Sequence, residues 1–269
     1  MVRRLLPVTR TKALRFFSAG LLLAAAAALA ACDNGEQAKA PDQARPHQTK
    51  ATTEQTQREQ IQTHKPVPSS IPATNDVPLG TGFDYYVLSL SWSPTWCAGN
   101  DAAGRTEQCA ADASNGFIVH GLWPQNEKGF PEYCQTREPD RVPERLGRSL
   151  FDMMPSMGLI GHQWRKHGSC SGLRQAAYFA VVRAARQKLK IPPALQTVDR
   201  PRQAETGAIE MAFIAANPGL RANAIAVTCE GQYLEEVRIC YNKDLSFRPC
   251  PEVDARSCRR KSVTVPPAP

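Results

Sequence analysis

Eight cysteines between residues 97 and 258 constrain this chain more than any other feature, because they can close four disulfides. The chain has 269 residues and nine cysteines, and the ninth, Cys32, lies far upstream. Disulfides form and persist in oxidising compartments outside the cytosol. The sequence therefore predicts an exported protein whose fold is stapled by disulfides.

The first 31 residues have the layout of an export signal. Residues 1–15 carry five basic side chains and no acidic one, and residues 16–31 are apolar and rich in alanine. The apolar run is shorter than the roughly 20 residues that a membrane-spanning helix needs. It ends in the sequence Leu-Ala-Ala-Cys, which resembles a bacterial lipoprotein cleavage site; ordinary cleavage with an incidental Cys32 is the alternative. Since setting Cys32 aside leaves an even cysteine count, we predict that Cys32 is lipidated and anchors a periplasmic protein to a membrane.

Residues 32–78 are rich in Gln, Thr, Ala, Pro and Lys and nearly free of large apolar side chains. A segment of this composition cannot bury enough apolar surface to offset the entropy that it would lose on ordering. We predict a disordered tether here, in which His47 and His64 are inert.

The net charge gives no strong indication of a partner. The formal charge is +8 at pH 7, but five of the 33 basic side chains belong to the predicted signal. That leaves 28 basic against 25 acidic residues, and so small an excess does not by itself predict nucleic-acid binding. An anionic substrate would have to be recognised by local groups.

Residues 79–269 are long enough for one domain with a substantial core. Apolar periodicity predicts four strands and three helices, and the polar stretch 97–115 is predicted to be a loop. The predicted strands are 83–92, 117–119, 224–229 and 233–241, and the predicted helices are 141–154, 175–189 and 206–216. Helices grouped between strands imply an α+β fold, with a central antiparallel sheet and several helices packed around it.

Two short segments concentrate the side chains that can do acid–base chemistry. Residues 116–124 contain His120, which follows the predicted strand 117–119 directly. Residues 162–170 contain the other two histidines of the predicted domain, close to a lysine and an amide. Such a concentration suggests acid–base chemistry on an anionic substrate.

The second segment has a defined geometry if it is helical. Gln163, Lys166 and His167 then share one face, and Trp164 points away from it, so we expect Trp164 to pack in the core. His162 and His167 would lie about 140° apart around the helix, unlike the i,i+4 histidine pairs of zinc sites. This spacing argues against a metal centre.

Two imidazoles suit the cleavage of RNA through its own 2′-hydroxyl group. One imidazole takes the proton of that hydroxyl, the other protonates the departing 5′-oxygen, and cationic donors stabilise the pentacoordinate phosphate. The unperturbed imidazole pKa of about 6.5 allows both roles near neutral pH. Lys166 is placed to stabilise the phosphate, but the residues alone leave open which of His120 and His167 is the acid.

Residues 117–124 and 162–170 resemble the two active-site segments of the ribonuclease T2 family, and the resemblance covers most of residues 83–258. It implies an endoribonuclease that uses no metal and no cofactor. Such an enzyme cleaves single-stranded RNA with low base specificity and leaves a 2′,3′-cyclic phosphate. By the same resemblance His167 is the base and His120 the acid.

The resemblance also implies substrate contacts and a disulfide pattern. His162 resembles the family's phosphate-binding histidine, and Trp123 resembles its aromatic residue near the base site, where stacking needs no particular base. A Cys134–Cys170 disulfide would hold the two segments together and contribute about 3–4 kcal/mol in the chain-entropy model. The implied pairs are Cys97–Cys109, Cys134–Cys170, Cys229–Cys258 and Cys240–Cys250.

Three positions depart from the family's pattern. Gln163 stands where the family usually has glutamate, and a glutamine can donate an N–H to a phosphate oxygen but cannot transfer a proton. Gln125 and Phe130 stand at base-site positions where the family often has aspartate and tyrosine, which leaves base preference open.

We expect a modified but active site in a monomeric protein. The alternatives are a catalytically silent RNA-binding or scaffold protein of the same fold, and a protein-interaction module with no role in RNA binding. Gln163 is the feature that favours the silent protein, and the presence of both His120 and His167 argues against it.

Overall fold

The structure is a computed structural model that describes residues 77–113 and 115–268. The predicted signal, nearly all of the predicted tether and Cys32 lie outside these residues. No helix within the described residues is long and apolar enough to cross a membrane.

The described residues form six strands and six α-helices, and the α+β prediction is confirmed. The strands are β1 (Tyr85–Trp92), β2 (Phe117–Gln125), β3 (Arg202–Glu205), β4 (Ile225–Glu230), β5 (Tyr233–Tyr241) and β6 (Ser262–Val265). The helices are α1 (Ser93–Asn100), α2 (Glu144–Arg148), α3 (Met157–Lys166), α4 (Gln175–Lys188), α5 (Thr206–Ala216) and α6 (Pro251–Asp254).

All six strands belong to one sheet with the order β2-β1-β5-β6-β3, and β4 pairs with β5. The pairs are antiparallel except β5 with β6, which is parallel where Tyr233 meets Thr264. Strand β1 lies between β2 and β5, so it connects the two strands that carry the polar residues described below.

Strand β1 is buried on both faces, and its alternation decides what each face holds. Tyr86, Leu88, Leu90 and Trp92 contribute to the main core, where α3, α4 and α5 also contribute buried side chains. The opposite face begins with Tyr85 and Val87 in a smaller apolar cluster and continues with the serines at positions 89 and 91. These small polar side chains leave room on that face.

Helices α3 and α4 pack through large aromatic side chains on the main core. Trp164 is fully buried, as predicted, and its indole N–H donates to the Pro139 carbonyl at 2.8 Å. The Tyr178 hydroxyl, also fully buried, donates to the Leu122 carbonyl of β2 at 2.8 Å. These two bonds satisfy polar groups that would otherwise be costly to bury. The Tyr178 bond ties α4 to β2, and the Trp164 bond ties α3 to the loop that precedes α2.

The predicted helix over 141–154 was wrong in extent, because α2 covers only five residues. Gly147 lies inside it, and Pro155 disfavours a helical conformation for the residue before it. Leu150 and Met153 are nevertheless buried, so the apolar pattern predicted the burial of these two residues correctly even though the helix is shorter.

Two further predictions were wrong at element boundaries. Helix α1 extends to Asn100 and so enters the stretch 97–115 that we predicted to be a loop, and Pro94 occupies its first turn, where the missing N–H costs nothing. Strand β2 does not end at residue 119 but continues to Gln125, which places His120 inside the strand. The helix over 206–216 and the hairpin of β4 and β5 are confirmed.

Four disulfides join all eight cysteines of the described residues. They are Cys97–Cys109, Cys134–Cys170, Cys229–Cys258 and Cys240–Cys250, the pairs that the family resemblance implied. Cross-links of this number indicate an oxidising environment and hence an exported protein.

Candidate active site

His120 lies at a β-bulge in β2. Pairing with β1 passes from Ser89 opposite Gly121 to Leu90 opposite Val119, so His120 has no partner residue on the neighbouring strand. A bulge inserts one residue and re-aims the side chains around it. His120 is thereby turned towards the face of the sheet that carries Ser89 and Ser91, where it contacts Glu236.

Gly121, the next residue, makes room for the site. A Cβ atom at this position would collide with the Gln163 side-chain oxygen and would lie 2.5 Å from the Trp123 indole nitrogen. Only glycine lets β2 approach the amide of α3 this closely. The bulge and the glycine together bring the two predicted segments into contact.

The end of α3 supplies the second group of site residues. Ser156 caps the start of the helix by accepting the Leu159 N–H, and the helix ends at Lys166. His167 follows as the C-terminal cap residue, and its N–H bonds to the Gln163 carbonyl. Gly168 then allows tight packing, since a Cβ there would lie 2.5 Å from the Trp164 ring and 2.7 Å from the Tyr178 ring.

The indole of Trp123 holds the two segments together. It stacks on His167 with ring centroids 5.3 Å apart, and it meets His120 edge to face at 5.4 Å. Its N–H donates to the side-chain oxygen of Gln163 at 2.9 Å. Because an indole N–H can only donate, this bond fixes the orientation of the amide and reserves its oxygen for Trp123.

One cavity of about 240 Å³ brings together all eight residues that the sequence singled out. Val87 and Val253 supply apolar wall, and two arginines that the sequence did not single out line the cavity as well. The predicted residues are His120, Trp123, Gln125, Phe130, His162, Gln163, Lys166 and His167, and the unpredicted arginines are Arg238 and Arg256.

His167 is buried and uncharged. Loss of hydration is the largest cause that lowers the pKa of its imidazole, and with the positive charges of Lys166, His120 and His162 it brings the pKa to about 3. Its Nδ1 has no hydrogen-bond partner among the described residues, so no such bond compensates the charged form for lost water. His167 is therefore a neutral imidazole at physiological pH.

Lys166 and His162 lie nearer to solvent at the rim of the cavity. The ammonium group of Lys166 is 3.6 Å from the Glu132 carboxylate, and both side chains are partly exposed. The pKa of His162 is lowered by partial burial and by the charges of Lys166, Arg165 and His120. His120 and His162 also line a second cavity of about 450 Å³, so the two cavities share these histidines.

Glu236 and Arg238 of β5 are site residues that the sequence reasoning missed. Glu236 is 4% exposed, and one of its oxygens is 2.5 Å from Nδ1 of His120. Its other oxygen accepts two bonds from the Arg238 guanidinium, at 2.7 and 2.9 Å. That guanidinium also lies 5.3 Å from the Trp123 ring centroid. The sequence did contain a signal for them: two charged residues at positions i and i+2, and so on one face, of a strand that is otherwise largely buried.

The arrangement is that of an acid–base site for cleaving a phosphate ester of an aromatic ligand such as a nucleotide. Two imidazoles meet one indole, a lysine and an amide lie beside them, and aromatic side chains line the walls. Among residues 77–113 and 115–268, no group of three or more His, Cys, Asp or Glu side chains could hold a metal ion. The fold and site together define a nucleic-acid-cleaving enzyme.

Comparison with known proteins gives the family. A model of the ribonuclease T2 family matches residues 83–250. A ribonuclease of Aeromonas hydrophila is 36% identical over 167 residues, which cover 60% of this chain and 73% of that protein. Ribonuclease I of Escherichia coli is 26% identical over 204 residues, covering 60% of this chain and 76% of that protein.

Solved structures show the same fold. Trichomaglin, described as an S-like ribonuclease, superposes with a TM-score of 0.57 at 23% identity and covers 70% of this chain and 99% of its own. Ribonuclease NT, solved in complex with 5′-AMP, gives a TM-score of 0.55 at 23% identity, with 70% and 100% covered. The chain belongs to the ribonuclease T2 family and is an endoribonuclease.

Proposed function

We propose that this endoribonuclease cleaves single-stranded RNA by transphosphorylation at the cavity shared by His120 and His167. One imidazole removes the 2′-hydroxyl proton, and the oxygen attacks the adjacent phosphorus. The other imidazole protonates the 5′-oxygen as its bond to phosphorus breaks, which leaves a 2′,3′-cyclic phosphate and a free 5′-hydroxyl. The contact of both imidazoles with the single indole of Trp123 is the observation that carries this proposal.

The environments of the two histidines support one assignment of roles. His167 is neutral because its pKa is held near 3, so it is ready to accept a proton, and a bound phosphate raises that pKa towards its usual range. His120 instead faces the Glu236 carboxylate, which can accept a hydrogen bond from Nδ1 and so leaves Nε2 as the nitrogen that faces the substrate. We therefore assign His167 as the base and His120 as the acid, in agreement with the family resemblance.

Lys166 and Gln163 are proposed to stabilise the pentacoordinate phosphate. Among residues 77–113 and 115–268, the ion-pair partner of the Lys166 ammonium is the partly exposed Glu132 at 3.6 Å, and a phosphate oxygen can displace this carboxylate. The oxygen of Gln163 is engaged by Trp123, which leaves the amide N–H groups as its contribution to the phosphate.

The remaining predicted residues are proposed to bind the flanking nucleotides. His162 contacts the phosphate, and Trp123, Gln125 and Phe130 contact the base on one side of it. A cut inside an RNA strand needs a place for the next nucleotide, and the second cavity begins at the same two histidines, His120 and His162. Stacking on Trp123 and Phe130 favours no particular base, so we propose low base specificity.

RNA cleavage in EDTA tests the mechanism. We expect the full chain to produce 2′,3′-cyclic ends with EDTA present, and His167→Ala to lose on the order of 10²–10⁴-fold in kcat. His64→Ala, outside the described residues, is the matched histidine control and should cleave like the natural protein. Equal rates for His167→Ala and the natural protein, or products without cyclic ends, would contradict the proposal.

We further propose that the exported chain is a periplasmic, monomeric lipoprotein anchored through Cys32. All eight other cysteines are paired in the disulfides described above, which leaves the ninth for another use. Mass spectrometry of the mature N-terminus should find a lipidated Cys32, and an unmodified start near residue 31 would disprove the anchor. Light scattering of the delipidated protein should give the monomer mass.

A further inference from the structure

Glu236 and Arg238 form a pair of charges behind His120, on the side of the ring away from the reacting nitrogen. The Glu236 carboxylate contacts Nδ1 of His120 with one oxygen and the Arg238 guanidinium with the other. The Thr228 hydroxyl accepts the backbone N–H of Glu236 at 3.1 Å and ties this part of β5 to β4. Both oxygens of the Glu236 carboxylate and its backbone N–H are therefore bonded, and His120 is contacted from a strand that is itself paired on the sheet.

Both candidate roles of His120 need a proton on Nδ1. A general acid must be the imidazolium, which carries protons on both nitrogens. A general base that reacts through Nε2 must be the tautomer with its proton on Nδ1. A carboxylate at Nδ1 favours that proton in either case, because it can only accept a hydrogen bond.

We propose that Glu236 is a positioning residue of the ribonuclease reaction, which keeps a proton on Nδ1 of His120 and so makes Nε2 the reacting nitrogen. Arg238 keeps Glu236 in the required rotamer and ionised. The inference rests on the proposed function, since it assumes that His120 transfers a proton during RNA cleavage.

The charge state of Glu236 supports this role. Burial alone would raise the pKa of its carboxyl, but the hydrogen bond from His120 and the charges of His120 and Arg238 outweigh burial and lower the pKa to about 2. Glu236 is therefore a carboxylate throughout the range in which an imidazole titrates. A protonated Glu236 could donate to Nδ1 and favour the wrong tautomer, and its low pKa prevents this.

The substitution Glu236→Gln should reverse the polarity at Nδ1. The Arg238 guanidinium can only donate, so it will hold the amide oxygen and turn the amide NH₂ towards His120. An N–H group that faces Nδ1 disfavours a proton there and penalises both the acid and the base form of the ring. The amide has nearly the shape of the carboxylate, so packing is preserved.

A double-mutant cycle on kcat with a dinucleotide substrate tests the coupling. We expect Glu236→Gln to lower kcat on the order of 10- to 100-fold, part of what a positioned proton-transfer group contributes. In a His120→Ala background the same substitution should change the residual kcat by less than about twofold, because its only route to the reaction is gone. KM is measured in both backgrounds as well, because Glu236 also lines the second cavity, and an effect exerted through the substrate would change KM and persist in the His120→Ala background.

Glu210→Gln is the control for neutralising a carboxylate outside the site that, like Glu236, bonds to its surroundings, although Glu210 is only partly buried. Glu210 lies on α5, where it accepts the Val227 N–H, and it lines neither of the two cavities. Its substitution should leave kcat and KM unchanged. A comparable fall in kcat for Glu210→Gln would assign the effect of Glu236→Gln to general loss of packing and would overturn the inference.

A spectroscopic measurement tests the contact even where Glu236→Gln fails to fold. In proton NMR of the natural full chain with its disulfides, an Nδ1 proton shared with a carboxylate should give a far-downfield resonance that His120→Ala removes. Absence of that resonance would overturn the inference. The inference would also be overturned if the resonance is present but Glu236→Gln lowers kcat equally in the natural and the His120→Ala backgrounds. The contact would then not act on the reaction.

The failure of the proposed function is distinguishable from the failure of this inference. If His120→Ala cleaves RNA as fast as the natural protein, the proposed role of His120 is wrong, and the role of Glu236 fails with it. If His120→Ala is impaired but Glu236→Gln is fully active, only the inference about Glu236 is wrong.

Discussion

At the scale of single residues, the site depends on which groups are donors only or acceptors only. The Trp123 indole can only donate, so it fixes the oxygen of Gln163, and the Arg238 guanidinium can only donate, so it fixes an oxygen of Glu236. The Gln163 amide and the Glu236 carboxylate are thereby each held in one orientation. These two bonds determine how a substitution at Gln163 or Glu236 changes the groups that face the site.

Gln163→Glu tests whether an amide is sufficient at this position. We expect the natural protein to be active and the variant to gain less than about 100-fold in kcat, the low end for a positioned proton-transfer group. One carboxylate oxygen will still accept from Trp123, and the other can carry a proton to the phosphate. Gln125→Glu introduces the same charge into the same cavity away from α3 and should not raise kcat. A change from no turnover to full turnover would show that the natural protein is silent.

Buried His167 should make stability depend on pH. Because its folded pKa of about 3 lies below the unfolded value near 6.5, the unfolded chain binds the extra proton between these values. Stability contributed by neutral His167 is therefore present above about pH 6.5 and lost as pH falls towards 3. In this window His167 should cost the natural protein about 1.4 kcal/mol of unfolding free energy for each pH unit. The variant His167→Leu should lack this part of the loss.

Urea denaturation at several pH values measures this difference. His162→Leu is the control, since His162 is exposed and its pKa is lowered less, and it should change the pH dependence by a smaller amount. Equal slopes for His167→Leu and the natural protein would show that His167 is not buried in its neutral form.

At the scale of elements, the β-bulge in β2 and the end of α3 decide whether the two motifs meet. A regular β2 would place residues 119, 121 and 123 on one face and His120 on the other. The extra residue at the bulge changes this alternation, so that His120 and Trp123 both reach the cavity. The approach of α3 then depends on the absence of a side chain at Gly121.

Gly121→Ala should reduce both activity and stability. Its Cβ would collide with the Gln163 amide and the Trp123 ring, and relief of such overpacking typically costs about 1–3 kcal/mol. Displacement of Trp123 should also lower kcat. Gly207→Ala, in the open on α5, should be neutral or slightly stabilising, because alanine favours a helix. Thermal unfolding and dinucleotide cleavage measure the two effects, and an unimpaired Gly121→Ala would contradict the close approach.

At the scale of the whole molecule, one disulfide holds the segment that carries Phe130 and Glu132 close to the end of α3. Cys134 is bonded to Cys170, and the neighbouring Tyr133 N–H donates to the Lys166 carbonyl at 2.9 Å. The cavity wall is thus formed by chain segments that a cross-link keeps together.

Replacing Cys134 and Cys170 by alanine should cost about 4 kcal/mol in the chain-entropy model and should raise KM for RNA. The higher KM follows from the loss of a fixed position for Phe130 and Lys166. Replacing Cys229 and Cys258, which close a loop of similar length, should cost similar stability without the change in KM. Equal effects on KM would show that the disulfide serves stability alone.

Local pattern was enough to predict much of this protein. Helix α5 and the hairpin of β4 and β5 follow from apolar periodicity. Six of the eight site residues came from two short segments that resemble a known family, and Gln125 and Phe130 came from the stretch that follows the first segment. The small strands β3 and β6 and helix α6 were missed, because four residues carry too little periodicity to stand out.

The sequence by itself determined the chemistry available to this protein: two imidazoles, a lysine and an amide in two segments, and eight cysteines to hold them. Only the tertiary structure decided that Glu236 and Arg238 support His120, because their contact spans 116 residues of sequence and crosses from β5 to β2. It also decided that His120 lies at a bulge, since strand register is set by packing between strands and not by the strand's own residues. Burial likewise decided that His167 is neutral, because the pKa of a side chain depends on the water that its neighbours exclude.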